Sequence, residues 1–87
     1  MIIETFIPEK VKELYQRYEQ QGRQLPDGVN YIDSWIDEDV KTCYQLMESD
    51  SFENLNLWIS RWNDLADFKV IRVKDSATAK RIVLNRT

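Results

Sequence analysis

Val29–Glu48, VNYIDSWIDEDVKTCYQLME, is the stretch that decides the fold of this chain. β-Branched and aromatic residues on both sides of an acidic segment predict two strands joined by a turn. We place Glu38 and Asp39 at the tip of this hairpin, although the turn lacks the usual Asn-Gly or Asp-Gly signal that fixes a register. The predicted cross-strand pairs are then Trp35 with Thr42, Asp33 with Tyr44, and Tyr31 with Leu46.

Alternation along the two strands separates two faces of different character. The aromatic and partly polar face carries Val29, Tyr31, Asp33, Trp35, Thr42, Tyr44, Leu46 and Glu48. The smaller, drier face carries Ile32, Ser34, Ile36, Cys43, Gln45 and Met47. We expect helices to cover the second face, and we expect Ile3 and Ile71 of the outer strands to join it.

The remaining chain supplies two outer strands and two helices. Residues 1–7 and 67–74 alternate as strands, and each helix follows a strand. The first helix begins at Pro8 and ends at Gly22, and the second begins after the capping residues 49–51. This β-α-β-β-α-β order predicts an α+β, ferredoxin-like fold with a four-stranded antiparallel sheet and two helices on one face. We assign residues 1–75 to that domain and 76–87 to a C-terminal extension, either a short helix or a strand.

Composition narrows the classes of function. The 87 residues are 43% apolar and 31% charged, without a long apolar run, so we expect one cytoplasmic domain and no membrane contact. Histidine is absent and Cys43 is the single cysteine, which excludes an internal disulfide and the commonest metal ligand. We expect no metal and no other cofactor.

Charge is uneven along the chain. From Lys69 onward six basic side chains face one acidic side chain, a net charge of +5, whereas residues 1–68 carry −8. The acidic body would repel phosphates, and the two glycines, Gly22 and Gly28, form no phosphate-binding loop. We therefore expect no nucleic-acid partner.

Four separated motifs resemble one family: ETF near the start, GRQLPDGVNYIDSW, CYQLMES, and WISRWNDLADFKVIRV. Over about residues 2–74 the chain is similar to small bacterial proteins of the domain of unknown function 3303 family, themselves similar to the dimeric α+β barrel superfamily. This resemblance implies a ferredoxin-like fold and a homodimer with facing sheets. It implies no activity, and no catalytic residue of the superfamily's monooxygenases or haem-degrading enzymes is matched here.

The candidate site residues are those expected on the open sheet face or its rim. They are Glu4, Tyr31, Asp33, Trp35, Tyr44, Leu46, Glu48 and Arg72. Their carboxylates either raise one another's pKa or pair with Arg72 across a dimer seam, which is the favoured alternative. Cys43 is interpreted as a core residue rather than a nucleophile, since no histidine is present to activate it.

Two functions remain open. The leading hypothesis is a homodimeric module for interaction or small-ligand binding, without catalysis. The alternative is a cofactor-independent enzyme, monooxygenase- or isomerase-like, with a pocket between sheet and helices. In that enzyme Glu4, Asp33 or Glu48 would accept a proton and Tyr31 or Tyr44 would donate a hydrogen bond. A carboxyl group that titrates near neutral pH in a deep pocket would favour the enzyme.

Overall fold

The computed structural model describes residues 1–86. Four strands are present in this range: β1 (Ile2–Phe6), β2 (Val29–Ile36), β3 (Thr42–Ser49) and β4 (Ala66–Val70). The helices are α1 (Val11–Gln21), preceded by a 3-10 turn at Pro8–Lys10, α2 (Phe52–Ser60) and α3 (Ser76–Leu84). The C-terminal segment, left open between helix and strand, is thus largely helical, and Thr87 lies outside the described residues.

The sheet has the strand order β2-β3-β1-β4, with every neighbouring pair antiparallel. This order is compatible with ferredoxin-like folds, and the predicted α+β class with a four-stranded antiparallel sheet is confirmed. Helices α1 and α2 pack on one face of the sheet and bury a single apolar cluster against it. The cluster comprises Ile2, Phe6, Leu14, Val29, Cys43, Leu55, Trp58, Trp62, Leu65 and Ala66.

Local signals explain where the helices begin and end. Pro8 occupies the first turn, where its missing N–H costs no hydrogen bond. Gly22 ends α1 at a φ of 66°, a backbone conformation that suits glycine. Ser51 caps α2, because its side-chain oxygen accepts a hydrogen bond from the Asn54 N–H at 3.1 Å.

The central hairpin forms as predicted, but its register is wrong by two residues at the turn end. Trp35 pairs with Tyr44 rather than Thr42. The turn spans five residues because the Asp37 carboxylate accepts the backbone N–H groups of Lys41 and Thr42 at 2.7 and 2.8 Å. A bulge at Ile32 then shifts the register back by one residue, so that Tyr31 lies opposite Met47, one residue from the predicted partner Leu46.

The predicted face is correct for β3, where Cys43, Gln45 and Met47 point toward the helices, but wrong for β1 and β4. In β1 the side chains of Ile2, Glu4 and Phe6 are buried, whereas Ile3 lies on the open face. Ile2 and Phe6 together bury more apolar surface than Ile3 and Thr5 would, so Glu4 is carried inward between them.

Strand β4 shows the same inversion. Phe68 and Val70 pack against the core, and Ile71 follows the strand with 37% of its surface exposed. β4 ends before the predicted residue 74 because the neighbouring strand β1 has no further residues to pair with. The last contacts are two backbone hydrogen bonds between Met1 and Ile71, at 2.7 and 2.8 Å. Residues beyond Ile71 therefore have no strand to pair with.

Candidate ligand-binding pocket

A cavity of about 140 Å³ lies between the sheet and helices α1 and α2. Strands β1, β2 and β3 form its floor, the two helices form its walls, and the loop after α1 contributes Arg23. Most of its lining is apolar or aromatic. The lining residues are Glu4, Phe6, Leu14, Tyr15, Tyr18, Arg23, Ser34, Ile36, Cys43, Gln45, Trp58 and Trp62.

Glu4 and Gln45 form the polar end of this cavity. Glu4 is only 5% exposed, and its carboxyl oxygen accepts a hydrogen bond from the Gln45 amide at 2.9 Å. The two residues come from adjacent strands, and Cys43 is the direct cross-strand neighbour of Glu4. A buried carboxyl group with a dedicated hydrogen-bond partner is a typical centre for ligand recognition or proton transfer.

Burial raises the pKa of Glu4 to about 7, because water no longer stabilises the carboxylate. Hydrogen bonds from Gln45 and Cys43 and the positive charge of Arg23 act in the opposite direction but do not cancel this effect. Glu4 therefore exchanges a proton with its surroundings near neutral pH. A pKa near the ambient pH is typical of carboxyl groups that act as acids or bases in active sites.

The thiol and the nearby phenol are held neutral. Burial, followed by the charge of Glu4, raises the pKa of Cys43 to about 12. Burial also raises the pKa of Tyr15, with smaller contributions from Cys43 and Glu4. Cys43 is therefore a poor nucleophile, and Tyr15 keeps its proton as a hydrogen-bond donor.

Arg23 is held over the cavity by aromatic side chains. Its guanidinium carbon lies 3.5 Å from the centre of the Tyr31 ring and 5.0 Å from that of Tyr18. One of its terminal N–H groups donates to the Tyr18 hydroxyl at 2.7 Å. The Tyr31 hydroxyl is in turn hydrogen bonded to Ser34 at 2.6 Å, so the aromatic side chains are themselves positioned.

The structure divides the sequence-predicted site residues among three places. Glu4 belongs to the cavity, and Tyr31 supports Arg23 at its edge, so the assignment of both to the open face is wrong. The open face of the sheet carries Asp33, Trp35, Tyr44, Leu46 and Glu48. Arg72 follows β4 and lines a separate groove of about 430 Å³ that Glu48 also borders.

Sequence reasoning missed Arg23 and Gln45 as pocket residues, and it did not assign Trp58 and Trp62, which also line the pocket, to any site. Both tryptophans are indeed buried, and each also donates its indole N–H to the Arg23 carbonyl at 2.9 Å. A glutamate between two large apolar residues of one strand was the available signal, since such a residue must point into the core if they do.

Within residues 1–86 no three acidic or cysteine side chains are grouped so as to hold a metal ion. None of the helices in the same range has the length and apolar character needed to cross a bilayer.

Comparison with known proteins gives one match. Neither the curated proteins nor the solved structures include a significant match to this sequence or fold. The family model described as a domain of unknown function, DUF3303, matches residues 1–86. The match covers the sheet, the cavity and the C-terminal helix, and the chain belongs to the DUF3303 family.

Proposed function

We propose that this protein is a small-ligand-binding module whose site is the cavity between the sheet and helices α1 and α2. The observation that carries the proposal is the buried Glu4–Gln45 pair at the end of an otherwise apolar and aromatic cavity. Sites for small molecules combine such a lining with a few well-placed polar groups. An apolar cavity of about 150 Å³ holds one benzene ring, so the volume here fits a single-ring compound.

Direct titration with single-ring probes tests this proposal. Benzyl alcohol, benzoate and acetophenone should quench or shift the fluorescence of Trp58 and Trp62, which line the cavity. Replacing Ser34 with Leu should fill the space and abolish the response. The matched control is Ser60→Leu, since Ser60 lies exposed on α2 outside the cavity. If no probe binds the wild type at millimolar concentration, the cavity is not a ligand site.

A second candidate function is proton transfer to and from a carbon acid, with Glu4 as the base. The pKa of about 7 favours it, because a carboxyl group can then both accept and return a proton near neutral pH. Asp33, Glu48 and Tyr44, which the sequence also suggested for this chemistry, lie on the open face and cannot reach the cavity. Glu4 is thus the single carboxyl group that lines it among the described residues.

Isotope exchange separates binding from catalysis. In D₂O the Glu4 carboxylate would remove a proton from the methyl group next to the acetophenone carbonyl, leaving an enolate. A deuteron from the exchanged carboxyl group would then be returned to the same carbon. We expect Glu4→Gln to stop this exchange while acetophenone still binds. Binding without any exchange above the buffer rate would leave a binding module and exclude this enzyme.

We also propose that the protein acts as a cytosolic homodimer joined through the open sheet face. Trp35 and Tyr44 are paired on that face and remain 52% and 40% exposed in a single chain. Beside them lie Ile3 and the half-buried Leu46. A contiguous apolar patch of this kind is usually covered by a partner, and a two-fold axis would let it cover itself.

The C-terminal arm supports association independently. None of the nine residues of α3 is buried, and Leu84 at its end is 71% exposed. The radius of gyration is 15.1 Å, against about 12 Å for a compact chain of this length, so the arm extends away from the domain. Sedimentation at micromolar concentration should give twice the chain mass of 10.4 kDa. A mass of one chain would refute the dimer.

Location and partners complete the proposal. Fractionation of cells should recover the protein with the cytosolic pool, and recovery with membranes would contradict that location. Because residues 1–68 carry −8, we expect no retention on single-stranded RNA at physiological salt. Salt-sensitive retention would show that the basic C-terminal region, with its net charge of +5, binds nucleic acid instead.

A further inference from the structure

Arg23 carries a charge that the protein does not neutralise by contact. Within residues 1–86 the one salt bridge joins Arg17 to Asp64, so no carboxylate oxygen lies within 4 Å of the Arg23 guanidinium nitrogens. The Arg23 Nε–H is buried and has no hydrogen-bond partner among the described residues. An unsatisfied donor on a cation is costly to bury, and the aromatic faces of Tyr18 and Tyr31 compensate only in part.

The backbone that presents Arg23 is held in place by α2 and the turn that follows it. Trp58 and Trp62 both donate to the Arg23 carbonyl, and Arg61 donates to the Gln24 carbonyl at 2.6 Å. Gln24 itself has a φ of 58°, which is unusual for a residue other than glycine. Three side-chain donors thus fix a strained loop whose position sets the guanidinium at the cavity. Strain of this kind is concentrated at binding sites.

We propose that the cavity binds a small aromatic acid, whose carboxylate pairs with the Arg23 guanidinium while its ring lies among the aromatic side chains of the walls. This inference rests on the proposed ligand-binding function and names the class of ligand. The guanidinium is planar, and only one of its terminal N–H groups is bonded to Tyr18, so the remaining terminal N–H groups can match the two oxygens of a carboxylate. Phe6, Trp58 and Trp62 supply the apolar surface for the ring.

The same arrangement couples binding to the protonation of Glu4. The titratable and charged groups that line the cavity with Glu4 are Tyr15 and Tyr18 from α1, Arg23 from the loop and Cys43 from β3. Tyr15 and Cys43 stay neutral. The net charge of the occupied cavity therefore depends on Arg23 and on two carboxyl groups, that of Glu4 and that of the ligand. Binding of an anion favours the protonated form of Glu4. The affinity for the anion should therefore fall as the pH rises above about 7, by up to tenfold per pH unit.

Benzoate and benzyl alcohol are the probes that test the ligand class, because they share a ring and differ in charge. Benzoate is ionised throughout pH 6–8, since carboxyl groups in water titrate near about pH 4. We expect benzoate to bind the wild type at least tenfold more tightly than the alcohol at pH 6, with the preference declining by pH 8. Binding of benzoate should also move the NMR signal of the Arg23 Nε–H.

Arg23→Met removes the charge and keeps the backbone carbonyl that α2 holds. This variant should lose the preference for benzoate and still bind benzyl alcohol, whereas Arg81→Met on α3 should behave as wild type. If Arg23→Met does not fold, Arg23→Lys replaces it and should bind benzoate at least threefold more weakly than wild type.

The outcomes separate the two proposals. Equal affinities for the two probes, or a benzoate preference that survives loss of Arg23, would overturn the acid-binding inference and leave the ligand site standing. An unchanged Nε–H signal in saturating benzoate would also overturn it. If neither probe binds, the proposed ligand-binding function itself fails.

Discussion

Glu4→Gln should make the protein more stable at pH 8 and leave its stability nearly unchanged at pH 5. Glutamine has the shape of glutamic acid and its side-chain oxygen can still accept the hydrogen bond from Gln45, but it cannot ionise. In the wild type the pKa of Glu4 rises on folding from its ordinary value of 4.5 to about 7. The folded protein therefore holds a proton that the unfolded chain releases between these values.

The sign and size of the effect follow from proton linkage. The stabilisation from protonated Glu4 is complete below pH 4.5 and is lost as the pH rises through 7. Between the two values the loss is about 1.4 kcal/mol per pH unit, so from pH 5 to pH 8 it reaches about 2.5 kcal/mol. Glu4→Gln does not undergo this loss. The difference in free energy of unfolding between the variant and the wild type should therefore grow by about 2.5 kcal/mol from pH 5 to pH 8.

Urea denaturation at pH 5, 6, 7 and 8, at one protein concentration, measures this difference. Subtracting the wild-type free energy of unfolding from that of the variant removes all other titrating groups. Glu19→Gln is the matched control, because Glu19 is exposed on α1 and its side chain is solvated in both the folded and the unfolded protein. A difference that stays constant with pH would refute the burial argument for Glu4, and a wild type that gains stability toward pH 8 relative to the variant would reverse it.

Three further changes probe the core and the open face. Cys43 should react with a thiol reagent slowly in the native protein and rapidly in denaturant, since it is buried and its pKa is about 12; rapid native labelling would place it at the surface. Trp62→Ala should cost about 3–5 kcal/mol of unfolding free energy and Trp62→Phe less, and a loss of under about 1 kcal/mol for the alanine would contradict its burial in the core. Leu46→Asp should bring the sedimenting mass down to that of one chain, while Leu57→Asp, at an exposed position of α2, should not; a dimeric Leu46→Asp would move the interface elsewhere.

The fold could be predicted because its signals are local. Pro8, Gly22 and Ser51 mark helix ends through backbone effects that act within a few residues. In β3 the apolar residues Cys43 and Met47 recur on one side of the strand and identify the face that packs against the helices. Element order then limits the topology to a small number of arrangements. None of these steps requires knowledge of distant contacts.

The hairpin register could not be predicted because it depends on one side chain and one bulge. Asp37 accepts two backbone N–H groups and so closes a turn in which Val40 takes a φ of 56°. No glycine marks that position, so the sequence gives no sign of the left-handed residue. The bulge at Ile32 likewise follows from pairing with β3 and not from the strand's own residues.

The candidate site was hidden for a related reason. A glutamate in a strand is normally assigned to water, and Glu4 is buried because Gln45 of the neighbouring strand reaches it across the sheet. Arg23 stood in a loop whose sequence, RQLPDG, indicates only a turn. Its place over the cavity depends on tryptophans that follow it by 35 and 39 residues.

Glu4 and Arg23 together point to a site maintained at the expense of stability. A glutamine at position 4 would still accept the hydrogen bond from Gln45 without the cost of ionisation, and an apolar residue at position 23 would avoid a buried donor without a partner. Each group thus carries a cost that its own contacts offset only in part, yet both line the same cavity, one acidic and one basic. Residues that lower stability without a structural return are concentrated where a protein binds or reacts. A ligand whose acid group pairs with Arg23 while Glu4 stays protonated would satisfy both at once, which is why the probe experiments and the stability experiment should identify the same two residues.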